Sequence, residues 1–147
     1  MPVIVAFAYV IWKGCLDWGI LLVLLPVGLM TCGIFRASCT IAAVTDHDDG
    51  PDTFAPGSMT AAYIYGFELI FPYAWVAACS ISGLLPRLTV ITFLTIAVAI
   101  ACASTLKKSV GQGPAIIVDL DVRTLRLQTM FSLLLAVSLG ISTAASC

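Results

Sequence analysis

The stretch ILLVLLPVGLMTCGIF, residues 20–35, decides the fold of this chain. It contains no charged side chain, and the mainly apolar segment around it extends from about Trp18 to Ala43 with Arg36 as its one charge. A helix needs ~20 predominantly apolar residues to cross the hydrocarbon core of a bilayer. The segment therefore predicts a transmembrane helix.

The composition of the whole chain agrees with this prediction. Of its 147 residues, 61% are hydrophobic, and 7 basic and 8 acidic residues carry all of the formal charge. A soluble domain has about a quarter of its residues charged. The composition excludes a soluble globular protein, and it also excludes a nucleic-acid binder that works through a basic face. We expect no nucleic-acid partner.

Three more apolar segments are long enough to span, over residues 59–81, 85–106 and 125–145. No run of alternating ten-residue segments points to a barrel, and open strands would leave backbone groups unpaired in lipid. We expect an all-α integral membrane protein with about four transmembrane helices, forming one polytopic domain over residues 1–147. Residues 82–87, SGLLPR, predict a tight turn between two antiparallel helices, and residues 115–123, AIIVDLDVR, predict a short extended or surface-lying piece.

The N-terminal segment Val3 to Trp12 is apolar but too short to span. One interpretation is a short helix that lies in the membrane interface or against a partner. The other is that Val3 to Phe35 forms one long, tilted or kinked helix pair. The pair Lys13 and Asp17, four residues apart and flanked by tryptophans, favours the first.

The lysines and arginines predict the orientation, because loops on the cytoplasmic side of a membrane are rich in them. With four spans, Lys13 and Arg87 lie on the side of the termini. Five basic residues lie on or near the opposite side: Arg36, Lys107, Lys108, Arg123 and Arg126. The loop of residues 107–123, called the long loop below, is therefore predicted to face the cytoplasm or the matrix.

Glu68 is the one acidic residue inside a predicted span, within YIYGFELIF. An ionised carboxylate in a membrane usually faces a protein interior, a cavity or a partner. Glu68 is therefore a candidate for proton or cation transport, or for a structural contact with Tyr63, Tyr65 or a basic residue of another subunit. Pro72 leaves the Glu68 carbonyl without its usual helical donor, which adds Pro72 to this intramembrane polar contact.

The loop TDHDDGPDTFAPGS, residues 45–58, is the most acidic part of the chain. Its spacing does not fit an EF-hand, and it lacks the second His or Cys expected of a zinc site. We expect a loop that docks on a basic neighbour through Asp46, Asp48, Asp49 and Asp52. No catalytic motif is present, and the chain has one histidine and no CxxC pair, so we expect neither enzymatic activity nor a cofactor nor a metal.

Small residues recur at helical spacing on several spans. Helices in lipid associate closely where small residues let their backbones approach. The candidate packing positions are Gly33, Ala37, Ala74, Ala78, Ser82, Ala97, Ala101, Gly140 and Ala144. These positions fit packing inside the bundle and packing on other subunits equally well.

The stretch YIYGFELIFPYAW, the break that follows it, the segment LLPRLTVITFLTIAVAIACAS and the last apolar helix resemble the final three spans of the Yip family of Golgi and ER trafficking proteins. In that family a Gly-Tyr pair followed by a proline opens the corresponding helix, whereas here the order is Tyr65-Gly66. The resemblance covers about half of the chain and implies a membrane-trafficking adaptor.

Three functions are compatible with the sequence. The first is a non-catalytic accessory subunit of a large membrane complex, most plausibly an organellar energy-converting assembly of the respiratory-chain type. It would lie in an organellar membrane, with the mitochondrial inner membrane favoured, among other membrane subunits and bilayer lipids. The second is a small oligomeric transporter or channel that uses Glu68. The third is the Yip-like adaptor.

Overall fold

A computed structural model describes residues 2–14, 19–45, 59–112 and 119–146. This part of the chain is 93% helical and contains no strand. Side chains within it are described except at Trp12 and at residues 41–45, 109–112 and 143–146. The all-helical architecture predicted from the sequence is confirmed.

The structure has five α-helices and one 3₁₀ helix in the described residues. The α-helices are α1 (Pro2–Lys13), α2 (Ile20–Thr45), α3 (Met59–Ile81), α4 (Ile96–Gln112) and α5 (Leu120–Ser146), and the 3₁₀ helix covers Arg87–Thr95 and runs directly into α4. Within the described ranges, four segments are long and apolar enough to cross a membrane: Ile20–Thr40, Met59–Ile81, Arg87–Lys108 and Leu120–Ser142. At 1.5 Å per residue in an α-helix and about 2.0 Å in a 3₁₀ helix, these segments are ~32–38 Å long, which is enough to cross a hydrocarbon core of ~30 Å.

Helix α5 begins earlier than the sequence indicated. The prediction of an extended or surface-lying piece is wrong from Leu120 onward, because these residues form the first turn of α5. Leu120 is buried in the core, and Asp121 accepts a hydrogen bond from the Val122 N–H at 2.7 Å. An acidic residue near a helix N-terminus satisfies exposed donors and the helix dipole there.

The four long segments form a closed ring. Helix α2 packs on α3 and α5, while α4 with its 3₁₀ extension packs on the same two helices from the other side. Side chains fill the space between α3 and α5, where the rings of Tyr73 and Phe131 meet edge to face with centroids 5.3 Å apart. One core cluster contains residues of every α-helix.

Helix α1 is a separate helix that packs on α5 and α2. It ends at Lys13 and is followed by Gly14, whose φ of 75° favours glycine, and α2 begins only at Ile20, so α1 and α2 do not form one continuous helix. Val5 and Tyr9, one turn apart, are buried against the bundle, whereas Phe7 and Ile11 face outward. At 12 residues, α1 is ~18 Å long and is too short to cross a bilayer.

The tight turn predicted after the second span is present. Gly83 has a φ of 73°, and the Leu84 N–H donates to the Cys79 carbonyl at 2.9 Å, which is the bond that closes a Schellman motif. Pro86 then precedes the 3₁₀ helix. The chain therefore reverses within a few residues, and the 3₁₀ helix and α4 pack back on α3.

The 3₁₀ helix carries a row of three buried threonines. Thr89, Thr92 and Thr95 recur every three residues, which places them on one face of a 3₁₀ helix, and all three are buried. Their hydroxyls donate to the carbonyls three residues earlier at 2.7–2.8 Å. The Thr-x-x-Thr-x-x-Thr spacing is the signal that predicts this buried face.

Candidate functional site

An ion pair between α2 and α3 is the strongest chemical feature of the bundle. The Arg36 guanidinium donates from Nε to Glu68 Oε2 at 3.0 Å and from Nη2 to Oε1 at 2.8 Å. Both groups belong to candidate membrane spans. This two-point geometry is the strong form of an arginine–carboxylate contact, because two charge-assisted bonds run in parallel.

The pair lies mostly inside the bundle. The Glu68 side chain is 8% exposed and the Arg36 side chain 27% exposed, so the carboxylate is enclosed while part of the guanidinium reaches the surface. A charge in a low-dielectric environment is costly unless it is paired and hydrogen-bonded. Here each carboxylate oxygen has a donor, so the pair neutralises itself within one chain.

Gly33 allows α2 and α3 to approach at this point. A Cβ added at Gly33 would lie 3.4 Å from Leu69 Cδ2, 3.8 Å from Glu68 Cβ and 3.9 Å from Glu68 Oε2. A single methyl group would just fit, and any larger side chain would push α3 away. The absence of a side chain at Gly33 therefore supports the short Arg36–Glu68 distances.

The partner of Glu68 is not among those the sequence predicted within this chain. The Tyr65 hydroxyl pairs instead with Thr124 at 2.6 Å, and the Tyr63 ring lies 5.4 Å from Lys107 Nζ. Arg36 was counted among the basic residues on or near the long-loop side, and the structure places it inside its span, where it pairs with Glu68. Without Arg36, four basic residues rather than five lie on the long-loop side of the membrane, compared with two on the side of the termini.

Pro72 lies one turn after Glu68 and is buried in α3. Its nitrogen has no hydrogen, so the Glu68 carbonyl lacks the donor that residue 72 would otherwise supply. Helix α3 nevertheless continues through this position to Ile81. Pro72 therefore lies next to the ion pair along the helix, as the sequence indicated.

Other polar side chains also bond across the interior. Gln128 on α5 donates from Nε2 to the Thr31 hydroxyl at 2.5 Å and to the Val27 carbonyl at 3.3 Å, which ties α5 to α2. Further bonds join the Tyr73 and Thr95 hydroxyls at 2.7 Å and connect Trp75 Nε1 to the Leu22 carbonyl at 3.0 Å. Ser132 Oγ is the one buried side-chain polar atom of the described residues without a partner. The interior polar groups thus largely satisfy one another.

The structure separates the small residues into two groups. Gly33 and Ala37 are buried inside the bundle. Six others are exposed on its outside: Ala74, Ala78, Ser82, Ala97, Ala101 and Gly140. The side chain of Ala144 lies outside the described residues. Packing within this chain therefore uses the Gly33–Ala37 pair and leaves the six exposed positions uncovered.

Two grooves flank α4. The α3–α4 groove, of about 580 Å³, is lined by Ala62, Tyr63, Gly66, Phe67, Ile70, Phe71, Ala74, Ile100, Ala103, Ser104 and Lys107. The α4–α5 groove, of about 420 Å³, is lined by Ala97, Val98, Ala101, Cys102, Arg123, Arg126, Leu127 and Met130. Both grooves are apolar over most of their length and carry basic side chains from residues near the long loop.

The predicted docking loop lies outside the described residues, so Asp46, Asp48, Asp49 and Asp52 stay a sequence prediction. Within the described ranges, no group of three or more His, Cys, Asp or Glu side chains is placed to hold a metal ion. No family model, curated protein or solved structure matches the chain. The candidate site therefore rests on the geometry of the helix bundle.

Proposed function

We propose that this chain is an integral membrane protein that serves as a non-catalytic structural subunit of a larger membrane protein complex. The observation that carries the proposal is the contrast between its interior and its exterior. Inside, the charged and polar side chains largely form hydrogen bonds or an ion pair with one another. Outside, small residues and large apolar residues stay uncovered on several helices.

The Arg36–Glu68 pair supports a structural role for Glu68. A transporter that uses this carboxylate needs it to exchange protons or ions during each cycle. Both Glu68 oxygens accept bonds from Arg36, and the group is enclosed between α2 and α3. This geometry suits a contact that holds two helices in register better than a group that binds a passing ion.

The exposed small residues support contacts with other subunits. Large apolar side chains on a helix surface are compatible with lipid alone, whereas small residues let a second helix approach closely. Ala74 and Ala78 lie on the outside of α3, and the exposed Ser82, just after the end of the helix, continues their four-residue spacing. A neighbouring helix seated on this edge would cover them.

The finer form of the proposal is an accessory subunit of an organellar energy-converting complex of the respiratory-chain type, in the mitochondrial inner membrane. Its supports are the interior polar groups that largely bond one another and the acidic loop of residues 45–58, which would dock on a basic neighbour. The other membrane subunits of that complex would be its partners.

Native electrophoresis of gently solubilised membranes, followed by mass spectrometry of the excised band, tests the proposal. We expect the chain to migrate in a large assembly with several other membrane proteins at fixed ratios. Ala78→Phe should release the chain from the assembly, because an aromatic ring cannot fit where two helices are in close contact. The matched control is Ile81→Phe on the same helix, at a residue that is 88% exposed and already large. Migration of the unaltered chain as a monomer or a small homo-oligomer would contradict the proposal.

A further inference from the structure

The α4–α5 groove combines an apolar wall with two arginine side chains at one end. Its wall is built from small and apolar side chains of α4, including Ala97, Val98 and Ala101, with Leu127 and Met130 of α5 opposite them. Its volume of about 420 Å³ falls within the range of ligand pockets in proteins. The wall suits a hydrocarbon chain.

The end of the groove nearest the long loop carries two guanidinium groups. Arg123 and Arg126 lie three residues apart near the start of α5, so they project from the same side of the helix. Both are exposed, and among the described residues neither forms an ion pair. The nearest acidic residues in sequence are Asp119 and Asp121, and the Asp121 carboxylate accepts a bond from the backbone N–H of the next residue.

We propose that the α4–α5 groove binds an anionic phospholipid of the leaflet on the long-loop side. The phosphate would lie on Arg123 and Arg126, and one acyl chain would follow the groove along α4. Guanidinium groups bind phosphate oxygens through paired N–H donors, and basic pockets between transmembrane helices are typical sites for anionic headgroups. Long arginine side chains also reach the headgroup level from positions somewhat below it.

The neighbouring α3–α4 groove is larger but suits an anionic lipid less well. Its one cationic group, Lys107, lies 5.4 Å from the Tyr63 ring centroid, where the ring face already attracts the ammonium group. A lysine also presents a point charge rather than the planar donor pair of arginine. The pair of arginines is therefore what distinguishes the α4–α5 groove.

The distribution of basic residues indicates which leaflet supplies the lipid. Lys107, Lys108, Arg123 and Arg126 lie at the long-loop end of the bundle, whereas Arg87 and Lys13 lie at the other end. Cytoplasmic leaflets are rich in anionic lipids, and basic residues beside a membrane favour that side. The groove thus opens toward the leaflet that supplies its ligand.

Native mass spectrometry of the full chain in detergent micelles tests the proposal. The probes are dioleoyl phosphatidylglycerol and dioleoyl phosphatidylcholine, which share their acyl chains and differ in headgroup charge. We expect one tightly bound phosphatidylglycerol per chain. Arg123→Gln with Arg126→Gln should weaken its affinity roughly 30-fold, since each basic residue near the surface contributes a factor of about five.

The matched control is Lys107→Gln with Lys108→Gln, which removes the same charge from the same end of the bundle. We expect this control to weaken binding by no more than about threefold, because exposed charges away from the site are screened. Ala101→Phe narrows the groove without changing charge, and it should also weaken binding. Far-UV circular dichroism and size-exclusion chromatography of each variant confirm that it is folded before lipid is added.

Four results would overturn the proposal. One is equal affinity for the two lipids, and another is an unchanged affinity in the arginine variant. A loss in the lysine control as large as that in the arginine variant would show diffuse attraction instead of a site. Displacement of the lipid by inorganic phosphate at the same concentration would show a site for free phosphate.

Discussion

Replacing Glu68 by glutamine tests whether the ion pair holds α2 and α3 together. The substitution keeps the shape of the side chain and removes its charge. Arg36 then stays between the helices with a neutral amide in place of its counter-ion. The amide oxygen can accept one of the two bonds that the carboxylate accepts, while the amide nitrogen faces a guanidinium donor.

The magnitude follows from burial. Removing one partner of a buried ion pair costs about 3–5 kcal/mol, because the other charge is left uncompensated. The Arg36 side chain is 27% exposed and can move toward the surface, so we expect the low end, about 3 kcal/mol. Arg36→Met should also lower the free energy of unfolding, because it removes both donors from the enclosed Glu68 carboxylate.

The assay is the free energy of unfolding, measured by far-UV circular dichroism during titration of mixed micelles with sodium dodecyl sulfate. Glu68→Gln, Arg36→Met and the double variant complete a thermodynamic cycle. We expect a coupling free energy of about 2 kcal/mol, since contacting residues of one network couple by about 0.5–3 kcal/mol. Arg36→Lys, which keeps the charge but loses the paired donors, should be destabilised by about 1 kcal/mol.

The reasoning fails if Glu68→Gln unfolds at the same detergent fraction as the unaltered chain. It also fails if the two single substitutions add without coupling, because the two side chains would then not act as a pair. A double variant that is less stable than both single variants would likewise refute it, since two neutral side chains leave no unpaired charge.

Two further substitutions test the interior contacts by the same measurement. Gly33→Leu should lower the free energy of unfolding by about 1–3 kcal/mol, because the new side chain would overlap Leu69. Its control, Gly28→Leu, should change the free energy of unfolding little, because the space around Gly28 is open. Equal effects at the two glycines would contradict the packing described for α2 and α3. Tyr65→Phe removes the hydrogen bond to a hydroxyl on α5 and should lower the free energy of unfolding by about 0.6 kcal/mol, the average for a hydrogen bond between membrane helices. Its control is Tyr63→Phe, at an exposed tyrosine on the same helix. A cost at Tyr63 as large as that at Tyr65 would show that the buried bond is not its source.

Part of the candidate site was predictable from sequence and part was not. Glu68 stood out because a carboxylate inside an apolar segment is rare. Its partner did not, because Arg36 lies near the end of its own segment and resembles a flanking charge. The two residues are 32 positions apart, so their contact depends on which helix faces which. A rule that compares the lone charges of neighbouring spans would have found the pair.

The sequence indicated the arginines of the α4–α5 groove only as charges near the long loop. It places Arg123 just before the last predicted span and Arg126 at the start of that span, and the early start of α5 puts both on the helix that lines the groove. Thr89, Thr92 and Thr95 recur every three residues in the sequence, a spacing that predicts one shared face if the segment is a 3₁₀ helix, as the structure shows it to be.

The sequence by itself determined the four long helices and the turn after the second of them. These features follow from local properties, namely the length of an apolar run and the backbone freedom of a glycine. The tertiary structure alone decided the contacts across the bundle, such as those of Tyr65 with Thr124 and Gln128 with Val27, 59 and 101 residues apart. Apolar segments are nearly alike in composition, so the sequence does not specify which faces meet, and only their packing brings the few polar groups together.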